Sequence, residues 1–373
     1  MSGAWQRIKH ILYRQKTSLL HFSKPGRWIK SKNWKAPSEG VVNVLYRKDQ
    51  DISHYFDWKD PDDTIARTKL REFTERYATE PDIIYEIKGD LVIEPQFGLA
   101  IQSGREFIPQ SGTLSHLHIR PALFSYLQRK YLNRKFVEID ELIHCDGFAG
   151  MNLCHFIYDT VNPILFLYKQ GMIGDRDKIL ISEKVYQKPY FQYFLQHSFM
   201  GKLNWLRQRD DEWIRVRTFR KAFVSMEVFR LTYEIFPKQP PGHRRIFLAR
   251  KANYQRNILN IAALMPVLTQ TGFEIVYAED LTYQQQVELF RGVRYFIGIH
   301  GAGLTNLLHS DIPSLRVLEL FSSSLVHASF YRFLKILNVE YYDALAGTPL
   351  DINWNFSVDV NDFTMKVKRL IQS

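Results

Sequence analysis

The chain has 373 residues, of which 45% are hydrophobic, as expected for a folded protein of about two ordinary domains. Its 50 basic and 39 acidic residues leave a net charge of +11, which favours an anionic partner: nucleic acid, an anionic membrane surface or a phosphorylated small molecule. Two cysteines, no signal-peptide pattern and no apolar run of ~20 residues argue against a disulfide-rich secreted domain and a membrane-spanning protein, and predict a cytoplasmic one.

Residues 1–36 form a basic arm with nine Lys and Arg residues and no Asp or Glu. Trp5, Ile8 and Leu12 are spaced as on one face of a helix. This composition suits peripheral attachment to an anionic membrane on its cytosolic face. A solvated basic arm packed against the body of the protein is the alternative, and the sequence leaves both open.

Residues 37–238 form the predicted N-terminal domain. Glycine-broken apolar runs predict strands or hairpins at 83–93 and 99–108, and a strand is expected at 178–181. A mostly apolar segment predicts a helix at 151–168. The proline- and glycine-rich segment 236–242 is the predicted linker to the next domain.

Residues 239–373 form the predicted C-terminal domain, in which strands and helices alternate with short connections. This alternation predicts a parallel sheet covered on both faces by helices. Ligands of such sheets bind outside the carboxyl ends of the strands. The expected strands lie at 245–249, 273–278, 295–299, 316–321 and 340–344, and the expected helices at 257–271, 283–292, 304–309 and 325–337.

Residues 298–306 form a glycine loop that follows one of these strands and opens a helix. Glycines allow a phosphate to approach the backbone, and a helix N-terminus offers unpaired N–H groups and partial positive charge. A turn used only for strand-to-helix packing is the structural alternative. The loop reads Gly298-Ile299-His300-Gly301-Ala302-Gly303-Leu304-Thr305-Asn306.

Charged residues flank other predicted strands on the same rim. Arg250 and Lys251 follow the 245–249 strand, and Arg256 is expected at the start of the next helix, where guanidinium groups could bind phosphate. Glu319 lies within an apolar strand, where a buried carboxylate needs hydrogen-bond donors. A ribose diol could supply them, or a nearby arginine.

Asn152, His155 and Asp159 are spaced by three and four residues, so they are expected on one face of the 151–168 helix. Asp or His in a cleft can act as a general base toward a hydroxyl group. A helix cap or a hydrogen-bond network in the core is the alternative.

In combination, these segments resemble family 61 glycosyltransferases, the group that includes the EGF-domain O-GlcNAc transferase and plant xylan-modifying transferases. The resemblance is carried by Arg-Arg-Ile-Phe-Leu-Ala-Arg at 244–250, Arg256 with Asn260, Leu281 with Gln286 and Val287, His-Gly-Ala-Gly-Leu-Thr-Asn at 300–306 and Val-Leu-Glu-Leu at 317–320. The stretch Asn152-x-x-His155-x-x-x-Asp159 is a looser match. Residues 1–81 show no usable resemblance.

The resemblance implies a GT-B fold, in which two Rossmann-like domains face each other across a cleft, and inverting transfer from a UDP-sugar. Arg250, Arg256 and the amides of the glycine loop would hold the diphosphate and Glu319 the ribose. Asp159 is the preferred base, and His155 would act as the base itself or orient Asp159, with Asn152 beside them on the acceptor side. Because this cationic site replaces a metal, no obligatory metal is expected, and Asp175-Arg176-Asp177 is interpreted as a turn.

The sequence lacks the secretory features of eukaryotic members, which favours a bacterial-type enzyme of surface polysaccharide assembly with a glycan or lipid-linked glycan acceptor. Another transferase or a nucleotide-sugar epimerase of the same architecture is a second enzymatic hypothesis. A basic nucleotide- or nucleic-acid-binding protein is the alternative from another class. No RRM, KH or helix-turn-helix signature is present, so nucleic acid is not an expected partner.

Overall fold

The computed structural model describes residues 41–56, 61–76, 79–95, 98–102, 106–108, 136–145, 151–237, 239–251 and 255–372. The predicted basic arm lies outside these residues. In the described part of the chain, no helix is both long enough and apolar enough to cross a bilayer.

The N-terminal half is built on a mixed sheet. Its strands follow the order β4-β3-β2-β8-β5-β6-β7, and β1 pairs with β2 off this path. Strand β2 is antiparallel to β1, β3 and β8, whereas the β8-β5-β6-β7 part is parallel. The strands are β1 Val42–Asp51, β2 Thr79–Ile93, β3 Ala100–Gln102, β4 Glu106–Phe107, β5 Phe136–His144, β6 Lys178–Ser182, β7 Asn204–Gln208 and β8 Trp213–Phe223. The strands predicted at 83–93 and 178–181 are confirmed, and the predicted 99–108 segment contains the antiparallel pair β3 and β4.

The helix predicted at 151–168 is present but changes its hydrogen-bond pattern in the middle. It consists of α2 (Leu153–Phe156), a π-helical segment (Ile157–Val161) and α3 (Asn162–Lys169). Pro163 has no N–H with which to continue the α-helical ladder to Asp159. The N–H of Asn162 bonds instead to the carbonyl of Ile157, five residues back, which produces a π-bulge. The other helices of this half are α1 Thr64–Arg76, α4 Glu183–Tyr186, α5 Pro189–His197 and α6 Phe229–Glu234.

The C-terminal half confirms the predicted parallel sheet. Its strands are ordered β10-β9-β11-β12-β13-β14, and all neighbours are parallel except β13 and β14. The strand order reverses between β9 and β11, which is the switch point where doubly wound sheets bind their ligands. The strands are β9 Arg244–Ala249, β10 Glu274–Tyr277, β11 Val293–Ile299, β12 Arg316–Ser322, β13 Tyr341–Pro349 and β14 Phe356–Ser357.

Helices cover both faces of this sheet. Leu264 and Leu268 of α7 and Phe363 and Val367 of α10 pack on one face, and α8, the 3-10 helix Ala302–His309 and α9 pack on the other. Local sequence sets several boundaries: Gly272 (φ +72°) follows α7, and Thr282 and Gln285 form a capping box at the start of α8. The helices are α7 Ile261–Gln270, α8 Tyr283–Arg291, α9 Ser329–Ile336 and α10 Val360–Ile371.

The two halves share one hydrophobic core. Phe229 of α6 stacks on Phe333 of α9, with ring centroids 5.3 Å apart. The hydroxyl of Tyr233 donates to the carbonyl of Ser310 and accepts from the N–H of Ile312, each over 3.0 Å. The described residues of the segment 236–242 form no helix or strand, but Phe236 at its start is buried, so the predicted linker is anchored in the core.

Candidate active site

A pocket of about 560 Å³ lies at the switch point of the C-terminal sheet. Its floor includes Leu248, Ala249 and Arg250 at the end of β9 and Ile299 at the end of β11. The N-terminal half closes it from the opposite side. The remaining lining residues are Leu153, Pro189, Tyr190, Ala278, Glu279, Leu281, Thr282, Tyr283, Gln286, Ala302, Gly303 and Asn306.

Arg250 and Gly301 are in close contact within this region. A β-carbon at Gly301 would lie 2.2 Å from Nη2 of Arg250, so only glycine leaves room for the guanidinium group. The backbone of Gly301 is extended (φ 162°), a conformation open to any residue. Glycine is therefore required here for the approach of Arg250. Nη1 of Arg250 donates to the carbonyl of Gln255 (2.9 Å), which fixes the guanidinium against the glycine loop.

His300 and Glu319 form a buried pair. Nδ1 of His300 lies 2.7 Å from Oε1 of Glu319, and the hydroxyl of Tyr342 donates to Oε2 over 2.6 Å. Glu319 has no exposed surface, and both of its oxygens are engaged. The expected direct contact between Glu319 and a ribose does not fit this geometry. Tyr342 is also fully buried, whereas His300 keeps some exposed surface. The carboxylate of Glu319 can therefore influence a ligand only through His300.

The rest of the glycine loop divides between pocket wall and core. Ala302, Gly303 and Asn306 line the pocket, whereas Leu304 and Thr305 are buried behind it. Nδ2 of Asn306 donates to Oε1 of Gln286 over 2.9 Å. Any ligand contact from Leu304 and Thr305 is thus restricted to the backbone.

Gln286 connects the glycine loop to another wall of the pocket. Its Nε2 donates to the carbonyls of Ala278 (2.9 Å) and Leu281 (3.2 Å). These hydrogen bonds hold the segment after β10 in place. The resemblance included Gln286 only as a family position, and its structural role could not be inferred from the sequence.

Arg256 does not stand at the start of a helix as predicted, because α7 begins only at Ile261. It has a left-handed backbone (φ 67°), and its N–H donates to the carbonyl of Asn353. Its Nε is buried without a hydrogen-bond partner, and burial lowers the pKa of the guanidinium. Arg256 does not line the pocket, and Lys251 is paired with Asp280.

Asn152, His155 and Asp159 have different roles in the structure. Asn152 is the N-cap of α2, and its side chain accepts from the N–H of Cys154 over 2.9 Å. The capping alternative therefore applies to Asn152. Nδ1 of His155 lies 3.0 Å from Oδ2 of Asp159. The side chain of His155 is 55% exposed and that of Asp159 is 15% exposed, so the imidazole is the more accessible group of the pair.

The pKa of His155 is raised, first by the hydrogen bond to Asp159 and further by the negative charge of that carboxylate, against the opposing effect of burial. A largely exposed histidine whose Nδ1 is bound by a carboxylate has the arrangement of an oriented general base. This pair therefore combines the two residues that the sequence offered as alternatives.

Helix α2 brings this pair toward the glycine loop. Leu153 lines the pocket together with Ala302 and Gly303 of the glycine loop, and Leu153 and Cys154 pack against the hydrophobic cluster that contains Leu304. Between the two sides lies His327, whose pKa is lowered to about 4 by burial and by the positive charges of His300, Arg332 and His155. Histidines from both halves thus converge at one place. His327 lies five residues after the end of β12, beyond the carboxyl edge of the sheet. This position in the sequence could have identified it as a candidate site residue.

Within the described residues, no group of three or more His, Cys, Asp or Glu side chains is arranged to hold a metal ion. The residues Asp175 and Arg176 form a turn, as interpreted from the sequence. Asp177 accepts from the N–H of Gly174 (2.7 Å) and pairs with Arg220 (2.6 Å). Its carboxylate stabilises this turn.

A pocket at the switch point of a doubly wound sheet, closed by a second α/β unit, defines a ligand-binding α/β protein. The model of the glycosyltransferase 61 family matches residues 153–314, from helix α2 through the glycine loop. This match identifies residues 153–314 as a family 61 glycosyltransferase region, which implies glycosyltransferase activity with a donor sugar and a glycan acceptor. A search of curated proteins found no match.

Proposed function

We propose that the protein transfers a sugar from a UDP-sugar to a glycan hydroxyl with inversion at the anomeric carbon, in a GT-B arrangement of its two halves. The observation that supports this most directly is the pocket at the switch point, with Arg250 set against Gly301 at its edge. A diphosphate at this edge would meet a guanidinium and the first amides of a helix, both of which suit negative charge.

The nucleoside would occupy the more apolar part of the pocket. Leu281, Tyr190 and Leu153 provide apolar walls, and the segment after β10 provides backbone groups held by Gln286. Ligand pockets commonly combine apolar walls with a few fixed polar groups. Since Tyr190 and Leu153 belong to the N-terminal half, donor binding would require both halves together.

On the acceptor side, we infer that His155 removes the proton of the incoming hydroxyl and Asp159 orients the imidazole. This modifies the sequence-based preference for Asp159 as base, because the accessible group is His155. The acceptor oxygen would attack from the side of α2, and the diphosphate would leave toward Arg250. Positive charge around the diphosphate would stabilise the leaving group without a metal ion.

The acceptor is proposed to be a growing surface polysaccharide or a lipid-linked glycan. The basic composition of residues 1–36 supports attachment to the cytosolic face of an anionic membrane, where such acceptors would be reached.

The donor site is tested by the substitution Arg250→Ala. A hydrogen bond to a charged group contributes about 1.5–3 kcal/mol, so the affinity for UDP should fall about tenfold or more. Titration calorimetry with UDP, with and without EDTA, would measure this and the metal dependence together. Lys251→Ala is the matched control, because Lys251 is paired with Asp280. Equal UDP affinity of the folded Arg250→Ala variant and the wild type would contradict the assignment.

A further inference from the structure

His300 is held by a relay of buried side chains. The hydroxyl of Tyr342 donates to Glu319, and Glu319 accepts from Nδ1 of His300. We assign the proton to Nδ1 because a buried carboxylate requires donors. A carboxylate that binds one imidazole nitrogen fixes both the ring orientation and the proton position, as in other carboxylate–histidine pairs.

The aromatic surroundings of His300 restrict the ring further. Phe321 stacks on it with centroids 5.0 Å apart, and Phe330 packs edge-on at 5.3 Å. The side chain keeps 10% of its surface exposed. Among the described residues, Nε2 of His300 forms no hydrogen bond, and it is not enclosed by the protein. The remaining ring nitrogen is thus accessible on an immobilised ring.

His300 occupies the position between the two sides of the proposed site. Gly301, its neighbour in the chain, contacts the guanidinium of Arg250. On its other side, the ring centroid of His327 lies 5.9 Å from that of His300. The positive charges of both His300 and His155 lower the pKa of His327. The ring therefore lies between the residue proposed to hold the diphosphate and the pair proposed to activate the acceptor.

We propose that His300 is a catalytic residue that donates a proton from Nε2 to the departing diphosphate. In this step the bond between the anomeric carbon and the β-phosphate oxygen breaks, and its electron pair stays with that oxygen. The bond between the acceptor oxygen and the anomeric carbon forms, and the acceptor proton passes to His155. Glu319 and Tyr342 act as positioning residues. The inference rests on the proposed function, because it requires a nucleoside diphosphate beside Arg250.

This role requires the imidazole to bind a second proton when the diphosphate is present. We therefore expect the wild type to take up protons when it binds UDP at pH 7.5. Proton uptake is measured by titration calorimetry with UDP in buffers of different ionisation enthalpy. The other charged or titratable groups around the rings of His300 and His327 are Glu319, Tyr342, Arg332 and His155.

The variant His300→Asn distinguishes the roles of the two ring nitrogens of His300. The asparagine amide can replace the Nδ1 hydrogen bond to Glu319 but offers nothing at Nε2. The variant should melt near the wild-type temperature and lose proton uptake on UDP binding. Its single-turnover transfer rate should fall about 10²–10⁴-fold, the usual contribution of a general acid. His243→Asn is the control, because His243 is exposed just before β9, at the opposite end of the sheet.

Unchanged proton uptake and an unchanged transfer rate in His300→Asn would overturn the inference while leaving the proposed donor site intact. If His300→Asn fails to fold, His300→Gln serves the same purpose, because its amide can donate near Nε2 but cannot titrate. Retained UDP binding without proton uptake is then expected, and retained uptake would overturn the inference. If the wild type binds no UDP, both this inference and the proposed function are wrong.

Discussion

At the residue scale, the site joins side chains that lie far apart in the sequence: Arg250 contacts Gly301, and His300 is bound to Glu319. The glycine loop and Arg250 follow predicted strands, so the order of a parallel sheet places them on one rim. Glu319 was recognised as an unusual buried carboxylate. Its partners are 19 residues earlier and 23 residues later in the chain, and no local pattern connects them.

Gly301→Ala provides a test at this scale. Alanine accepts the extended backbone at 301, so the melting temperature should change little. Its β-carbon would displace the guanidinium of Arg250, and the affinity for UDP should fall about tenfold. Calorimetry with UDP measures the loss, and Gly174→Ala is a control at a turn where the new β-carbon has ordinary contacts.

The double variant Arg250→Ala/Gly301→Ala distinguishes the mechanism. If Gly301 acts only by leaving room for Arg250, the double variant should bind UDP no more weakly than Arg250→Ala. The effects of substituting two residues in contact on the binding free energy are not additive. Additive losses would mean that Gly301 contacts the ligand by itself.

At the element scale, composition decides which strands can be predicted. The central C-terminal strands β9, β11 and β12 are largely buried and appear as mostly apolar runs; every residue of β12 is buried. Strand β5 contains Glu138, Asp140 and Glu141 and is largely exposed in its first two-thirds, so its sequence lacks such a run. The π-bulge in the 153–169 helix was also missed, although Pro163 provides its physical cause.

The helix that carries His155 and Asp159 leads to a prediction about pH. A general base must be unprotonated, so the transfer rate should rise with pH on the acid side of its pH profile. The raised pKa of His155 should place the midpoint of this rise above about 6.5. Asp159→Asn removes the carboxylate that raises this pKa, and the midpoint should move to lower pH while the maximal rate decreases.

Single-turnover rates measured from pH 5 to 9 would show this shift, with His54→Gln as a control at an exposed histidine outside the site. A midpoint that stays in place in Asp159→Asn would contradict the proposed pairing. If His155→Gln retains the wild-type rate, His155 is not the base.

At the scale of the whole molecule, the two halves depend on each other. Arg332 of α9 pairs with Glu80 of β2 over 2.7 Å, and Asp63, just before α1, accepts from the N–H of Ala346 in the C-terminal half. The division at 238/239 stays a prediction about domain organisation. The shared core nevertheless means that the sheet face bearing α9 is covered in part by residues of the N-terminal half.

This arrangement predicts that both halves unfold in a single thermal transition. Separating them would expose the core around Phe229 and Phe333, a cost of about 25 cal/mol per Å² of apolar surface. UDP should raise the transition temperature of the whole molecule, because saturation at 100 times Kd stabilises the folded state by about 2.7 kcal/mol. Differential scanning calorimetry with and without UDP measures both effects. Phe229→Ala, which creates a cavity between the halves, should cost about 3–5 kcal/mol and lower the same single transition. Two separate transitions, with only one responding to UDP, would show instead that the halves fold independently and that the pocket belongs to one of them.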